Sequence, residues 1–349
     1  MELHNPTPLA AASAVVTQPD GRPVLVAVVR GTFRLSPGGG TLHLAAQQMP
    51  PAIADISSGE GAEHGRGVPR YEHDFAPGKR ACDLIIHAHA HAPGGQPAAR
   101  VAVGVACGPL RRIFAVCGER RWQHAGDGSL QPSAAEPFVE RGCDYTVAFG
   151  GADPAADGEP PAFCAQNPLG RGYCAPGRDP LRLLDQLLPA TEDWERPITA
   201  PGELLAPLAL GPLGRGWAPR VALAGTYDET WRREVFPLPP RDFDVGYHQC
   251  APPEQQMPYP QGGEEIQLLN LTPAGRYRCL LPRIAVELNL RPARGSRELR
   301  RALIDTIAID TVAGTLSLVW RVCQPLARGA GDIAELTVDC RGELLEPQP

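Results

Sequence analysis

The chain has 349 residues, too many for one minimal core and enough for about two domains. Hydrophobic residues make up 43%, which excludes wholesale disorder, while 38 glycines and 39 prolines without a glycine period exclude collagen and point to a turn-rich, β-dominated globular protein. A net charge of −6 argues against a nucleic-acid-binding or anionic-membrane surface.

The first residues, Met1 to Val16, lack a basic segment and hold only a short apolar stretch, so they do not read as a signal peptide. No run of 18 apolar residues occurs, so no membrane insertion is expected. Val24 to Leu35, VLVAVVRGTFRL, reads as a buried strand, with a short partner at Thr41 to Ala45 after the turn Gly38-Gly39-Gly40. Residues 57 to 80 are polar and glycine-rich and read as a long loop. Asp83 to His91 alternates as a strand does, and Arg100 to Cys107 with Leu110 to Gly118 reads as a hairpin around Gly108-Pro109.

Residues 123 to 263 are proline-rich with short apolar runs, and fixed irregular loops are expected there. A helix is expected over Asp179 to Leu188, with Asp179 as cap, Pro180 in the first turn and Leu181, Leu184 and Leu188 on one face. Val221 to Thr226 reads as a short strand. From Glu265 the strand pattern returns at Ile266 to Leu271, Tyr277 to Leu281, Ile284 to Leu290, Leu303 to Asp310, Thr315 to Val322 and Leu336 to Cys340. The expected fold is mainly β: antiparallel, sandwich-like lobes at both ends joined by a loop-rich middle with few short helices. The divisions are 1–122 for an N-terminal β lobe, 123–263 for a loop-rich region packed on both lobes, and 264–349 for a C-terminal β lobe, with one continuous domain as the alternative. One internal echo stands out, PLGRG plus an aromatic residue at Pro168 to Tyr173 and again at Pro212 to Trp217; a single echo is a repeated turn form, not a solenoid.

Chemistry-bearing patterns are sparse. Lys79 is the sole lysine, so 33 − 1 = 32 of the basic residues are arginine. It is followed by Arg80, which does not fit a phosphate-binding Gly-Lys-Ser/Thr loop. His87, His89 and His91 share one strand face, but the outer two are about 13 Å apart in an extended chain, which favours a polar face over a metal site. His248 with Cys250, and Asp242-Phe243-Asp244, are short pairs without the partners a metal centre needs. No nucleophile elbow and no zinc-protease helix occurs, and Gly59 to Gly67 does not fit a dinucleotide-binding loop. The ten cysteines form no C-x-x-C pair, and several, such as Cys107, Cys117 and Cys279, sit in apolar runs; ten free thiols are expected. No cofactor is expected.

Trp217-Ala218-Pro219-Arg220 followed by Gly225-Thr226-Tyr227-Asp228-Glu229-Thr230-Trp231 resembles the W-x-P-R…A-G-T-Y-D-x-x-W signature of a bacterial family, domain of unknown function 2169, associated with type VI secretion. Arg30-Gly31-Thr32-Phe33 is similar to its K-A-T-F strand, and Tyr71 to Lys79, YEHDFAPGK, to its Y-E-S-D-L-A-P-x-K loop. Ala148 to Asp153, AFGGAD, and Asn167 to Tyr173, NPLGRGY, resemble two further motifs. Pro239-Pro240-Arg241-Asp242-Phe243, Ala251 to Gln256 and Gly262-Gly263-Glu264 follow in order. The matches run from Asn5 to about Pro282. Departures are Arg30 for lysine, Arg80 for proline, and Ala190-Thr191 for Asn-Leu.

The resemblance implies a cytoplasmic, non-enzymatic adaptor or chaperone that binds a secreted effector protein and helps load it onto the spike, the VgrG trimer with its PAAR tip. The alternative is a β-sandwich enzyme or carbohydrate-binding protein with its site in the middle loops. The family-signature residues Asn167, Arg171, Trp217, Arg220, Tyr227, Asp228 and Trp231 are expected to pin the middle loops as scaffold, or else to contact a partner. Loops with little regular pairing must satisfy their backbone groups from side chains, which Arg, Asn and Asp suit.

Overall fold

A computed structural model describes residues 1–59, 67–153 and 160–342. Most of the Gly59 to Gly67 stretch, part of the expected 57–80 loop, and residues 154–159 of the middle region lie outside the described residues.

The strand Pro23–Arg34 is the axis of the largest sheet, and every residue from Val24 to Phe33 is buried. A strand that is apolar on both faces must be covered on both. Leu25, Ala27, Val29 and Phe33 enter the main core, while Val24, Val26 and Val28 face a second cluster with Tyr71 and Val319. Full burial of such side chains contributes about 1.5–3 kcal/mol each. The seven-stranded sheet runs Gln256–Met257, Cys82–His87, Leu303–Asp310, Thr315–Pro325, Pro23–Arg34, Ala10–Thr17, with His43–Leu44 also paired to Pro23–Arg34. Cys82–His87 and Leu303–Asp310 pair in parallel; the other pairs of this sheet are antiparallel.

A five-stranded sheet follows the order Thr191–Glu192, Leu110–Cys117, Arg100–Cys107, Glu265–Leu269, Arg276–Leu280. A four-stranded sheet follows the order Glu2–His4, Ile333–Gly342, Ile284–Pro292, Glu298–Arg301. Inward residues of all three sheets, among them Leu84, Val103, Phe114, Leu268, Leu288 and Trp320, join in one core cluster. The protein is therefore mainly β with several antiparallel sheets, and among the described residues no sheet closes into a barrel. Strands from the first 122 residues and from beyond residue 264 share all three large sheets. No described helix is long and apolar enough to cross a membrane.

The strands expected at both ends form within a few residues of their anticipated bounds, and the hairpin pairs Leu110 with Cys107 through Cys117 with Arg100. Three expectations are corrected. The helix over Asp179 to Leu188 is a single 3-10 turn, Pro180–Leu183, capped as expected by Asp179, whose Oδ1 accepts from Leu181 N at 3.0 Å. It stops because the next residues pair elsewhere: Asp185, at φ 63, donates to Trp122 O, and Gln186 O accepts from Trp122 N. Those bonds seat Leu183 and Leu188 against Trp122 in a satellite cluster, and tertiary pairing outweighs the helical pattern. Val221 to Thr226 is no strand but the 3-10 segment Arg220–Ala224; Val221 is exposed, so its β-branched side chain packs against no sheet. The 57–80 region carries a short antiparallel pair, Ile56–Ser58 with Val68–Tyr71.

Candidate functional site

Arg30 lies on the same strand face as Val24, Val26 and Val28, and it is only 4% exposed. A guanidinium there needs partners. Its Nη1 donates to Pro50 O (3.3 Å) and lies 3.7 Å from the Asp74 carboxylate, and its Cζ sits 4.6 Å above the Tyr71 ring. Asp74 is fixed in turn: the Tyr71 hydroxyl donates to its Oδ1 at 2.8 Å, and Ala52 N–H donates to its Oδ2 at 2.7 Å. Across the sheet, Arg321 pairs with Asp305 at 3.0 Å and donates to Ala76 O at 3.0 Å. Lys79 Nζ lies 2.7 Å from Asp83 Oδ2 and donates to Thr306 Oγ1 at 2.9 Å. Fully buried Asp83 also accepts from Gln249 Nε2 (2.9 Å) and Cys250 N (3.0 Å). The Tyr71 to Lys79 loop is thus stitched over the outer face of the seven-stranded sheet by a layer of ion pairs.

Arg220 closes this layer from above. Its Nη2 donates to Glu72 Oε2 at 2.8 Å and its Nη1 to Glu72 Oε1, while Nε and Nη1 also donate to Tyr247 O and Leu213 O. Arg215 reaches the same Glu72 at 3.0 Å and Asp55 at 2.7 Å. Burial opposes the charge on Lys79, but the neighbouring acidic groups, Asp83 foremost with Cys250 and Asp305, together outweigh it and hold the ammonium above its ordinary range. Burial, reinforced by Asp83, pushes the Cys250 thiol far up. Burial and then Arg215, Arg321 and Arg220 push His248 down to about 4; burial and then Arg70 do the same to His87. The charges answer one another, and the thiol and imidazoles stay neutral. This chemistry braces loops.

A second junction forms on Asn167, fully buried, whose Nδ2 donates to Tyr145 O (2.8 Å) and Phe149 O (3.0 Å). Its Oδ1 accepts from Leu169 N at 3.3 Å and its carbonyl from Gly151 N at 2.8 Å. Arg171–Gly172 then pairs in parallel with Phe149–Gly150, so the AFGGAD and NPLGRGY motifs bind each other. Gly150 and Gly151, at φ 144 and 84, are required here: a Cβ on either would sit 2.1 Å from the carbonyl oxygen of Asn167 or Gly170. Trp217 packs edge-on against Tyr145, centroids 5.1 Å apart, and both leucines of the PLGRG echo, Leu169 and Leu213, pack on this pair.

Tyr227, Asp228 and Trp231 are placed otherwise. Asp228 Oδ1 accepts from Trp231 N at 2.7 Å and caps the one α-helix among the described residues, Glu229–Glu234, which buries no residue. Trp231 donates from Nε1 to Leu238 O at 2.8 Å and stacks edge-on with Tyr227 and Phe236, both more than half exposed. The seven signature residues therefore divide into a packed group (Asn167, Arg171, Trp217, Arg220) and a projecting aromatic tip.

The other candidates do not converge. The strand breaks at Ala88; His87 Nε2 bonds Arg70 O at 2.6 Å and His89 Nδ1 meets Glu140 at 2.5 Å. Asp242 accepts from Thr226 N (3.0 Å) and Oγ1 (2.8 Å), whereas Asp244 pairs with Arg80 at 2.9 Å. Among the described residues no group of three or more His, Cys, Asp or Glu is placed to hold a metal ion. The sequence reading missed Glu72, Asp83, Gln249, Asp305 and Arg321. Its available signal was a charge inside an apolar run, as in LSLVWRVC, where Arg321 must meet a buried partner.

The bacterial family described as an uncharacterized protein conserved in bacteria, DUF2169, matches residues 20–321. The chain belongs to the DUF2169 family. No curated protein and no solved structure matches it. Within this DUF2169 chain the collinear motifs are thus brought together in space: RGTF, YEHDFAPGK and WAPR meet in the ion-pair layer, and AFGGAD and NPLGRGY meet at Asn167.

Proposed function

We propose that this DUF2169 protein is a non-enzymatic adaptor or chaperone that binds a type VI secretion effector in the cytoplasm and helps load it onto the VgrG/PAAR spike. The observation that carries this reading is the collinear signature from Asn5 to Pro282, whose resemblance is to a family tied to that role. The geometry supports it in two ways. The polar members of the signature engage one another, which suits a rigid platform. Exposed apolar side chains, among them Ile113, Tyr227, Phe236 and Leu280, remain for protein contact. A releasable complex needs about 1,200–2,000 Å² of total buried surface, with a few aromatic and arginine anchors carrying most of the energy. Loading proceeds without ATP, because the sole lysine is held by Asp83 and Thr306 rather than offered to a phosphate.

The deciding experiment is co-purification with the effector encoded beside the gene, followed by secretion in a deletion strain. Stable association and lost secretion are expected. If the effector neither binds nor requires this protein, and the purified protein turns over a small substrate or binds a glycan, the reading falls to the enzyme or carbohydrate-binding alternative.

A further inference from the structure

The outer face of the five-stranded sheet carries an open trough of about 400 Å³. Its floor is the strand Arg100–Cys107, whose outward residues include Gly104 and Ala106, side chains too small to fill the sheet surface. Pairing registers fix its walls. One row across the strands is Ile113, Gly104, Leu269, Arg276; the next is Arg111, Ala106, Gln267, Arg278. Ile113 is 55% exposed, so an apolar wall stands in water.

Many arginines of the protein meet carboxylates, as Arg100 and Arg120 meet Glu192, Arg215 and Arg220 meet Glu72, and Arg321 meets Asp305. Arg111, Arg276 and Arg278 are exposed and, among the described residues, none forms an ion pair; Arg111 donates only to the Gly108 and Leu110 carbonyls. Three guanidiniums without an ion pair flank a floor of small and apolar residues in a protein of net charge −6, with Gln267 and the Glu265 carboxylate that it bonds as the other polar groups of the Glu265–Leu269 strand on this face.

We infer that this trough is the docking site for an acidic amphipathic helix of the partner protein, an inference that rests on the adaptor reading above. Strands lie about 4.8 Å apart, so the wall strands, three intervals apart, stand about 14 Å from each other, and a helix is about 10–12 Å across. A helix laid along the strands sets an apolar i, i+3, i+4 stripe on Gly104 and Ala106, between Ile113 and Leu269. Its flanking Asp or Glu side chains then reach Arg111 on one wall and Arg276 and Arg278 on the other, as charge-assisted hydrogen bonds.

The test uses the full chain and a fluorescent helical peptide of about 18 residues, some five turns, with a Leu/Ala stripe flanked by Glu. A control peptide carries Lys in place of each Glu. Anisotropy is expected to show binding of the Glu peptide by the wild-type protein, weakened by about 0.5 M salt. R276E/R278E is expected to weaken it by about tenfold or more and to prefer the Lys peptide, while A106W blocks both peptides. Should A106W not fold, the charge-swap arms decide alone. The inference is overturned if the wild type does not bind the Glu peptide, binds both peptides alike, or loses nothing in R276E/R278E. The co-purified effector separates the two readings. Full retention of the effector by R276E/R278E overturns the trough and leaves the adaptor. An effector that fails to bind the wild type overturns the adaptor, and the peptide arms still judge the trough.

Discussion

Arg220 and Glu72 lie 148 residues apart in the chain and meet as a two-pronged ion pair in which Arg220 is 2% exposed. Through its further bonds to Tyr247 O and Leu213 O, one guanidinium ties three segments of the loop-rich middle to the YEHDFAPGK loop. Arg220→Ala leaves Glu72 with Arg215 alone and orphans two carbonyls. A loss of about 3–5 kcal/mol is expected, read as a lower urea midpoint at unchanged slope. Arg220→Lys recovers little, because an ammonium does not reproduce the planar fork. If Arg220→Ala leaves stability untouched yet abolishes effector binding, Arg220 is a contact residue and not scaffold.

Asp228 belongs to the same signature but stands in a different energetic position. Asp228→Ala removes only the cap of Glu229–Glu234, worth about 1 kcal/mol to that helix. Because the helix buries no residue, the global urea midpoint is expected to hold, while amide exchange at Trp231 quickens. A midpoint shift as large as that of Arg220→Ala would show that the tip is tied to the core.

The strands were legible because their pattern is local. Val24 to Phe33 is announced by a continuous run of mostly apolar residues, and in Ile284 to Leu290 the alternation alone decides which side chains meet the core. The 179–188 segment was misread because its fate depends on Trp122, a partner far away in sequence, whose backbone takes up Asp185 and Gln186. Val221 to Thr226 failed for the complementary reason: β-branched residues call for a sheet to pack on, and Arg220 anchors this segment elsewhere. The ion-pair layer was half legible. Arg30 within an apolar run announces a buried partner, but Asp74, Asp83 and Asp305 are selected by strand register and loop path, which no spacing rule supplies.

The ten cysteines are free, eight of them buried. In denatured, unreduced protein, a thiol reagent is expected to count all ten. In the native state the same reagent is expected to act slowly. Burial pushes Cys107, Cys117, Cys143 and Cys279 up to about 12, which cuts their reactive thiolate fraction by about a thousandfold, and it raises Cys250 well above its ordinary value. The half-buried Cys323 and Cys340 are expected to react first. Fewer than ten groups in the denatured chain would indicate a disulfide.

The last prediction concerns pH. His87 and His248 titrate at about 4 in the folded protein, chiefly because burial disfavours the imidazolium and secondarily because arginines surround them. In the unfolded chain both return to an ordinary value near 6.5. Below that pH the unfolded state therefore binds two protons that the folded state does not. Stability contributed by each neutral imidazole is complete above about pH 6.5 and is lost as pH falls toward 4. The slope is at most about 1.4 kcal/mol per pH unit for each ring, less where solvent reaches the partly exposed edges. Asp55 and Glu192 are both held below their ordinary values: burial raises each, but their Arg215 and Arg120 partners and backbone N–H donors outweigh it. Their contribution is lost only at lower pH; in the interval from pH 6.5 to about 4.5 His73 and His91, also lowered by burial, act in the same direction as His87 and His248, and Asp305, raised by burial, acts in the opposite one. Urea midpoints across that interval are expected to fall steadily in the wild type. Each of His248→Asn and His87→Gln is expected to make the fall shallower. A wild-type midpoint that stays level from pH 7 to 5 would mean that neither ring is held neutral by the fold.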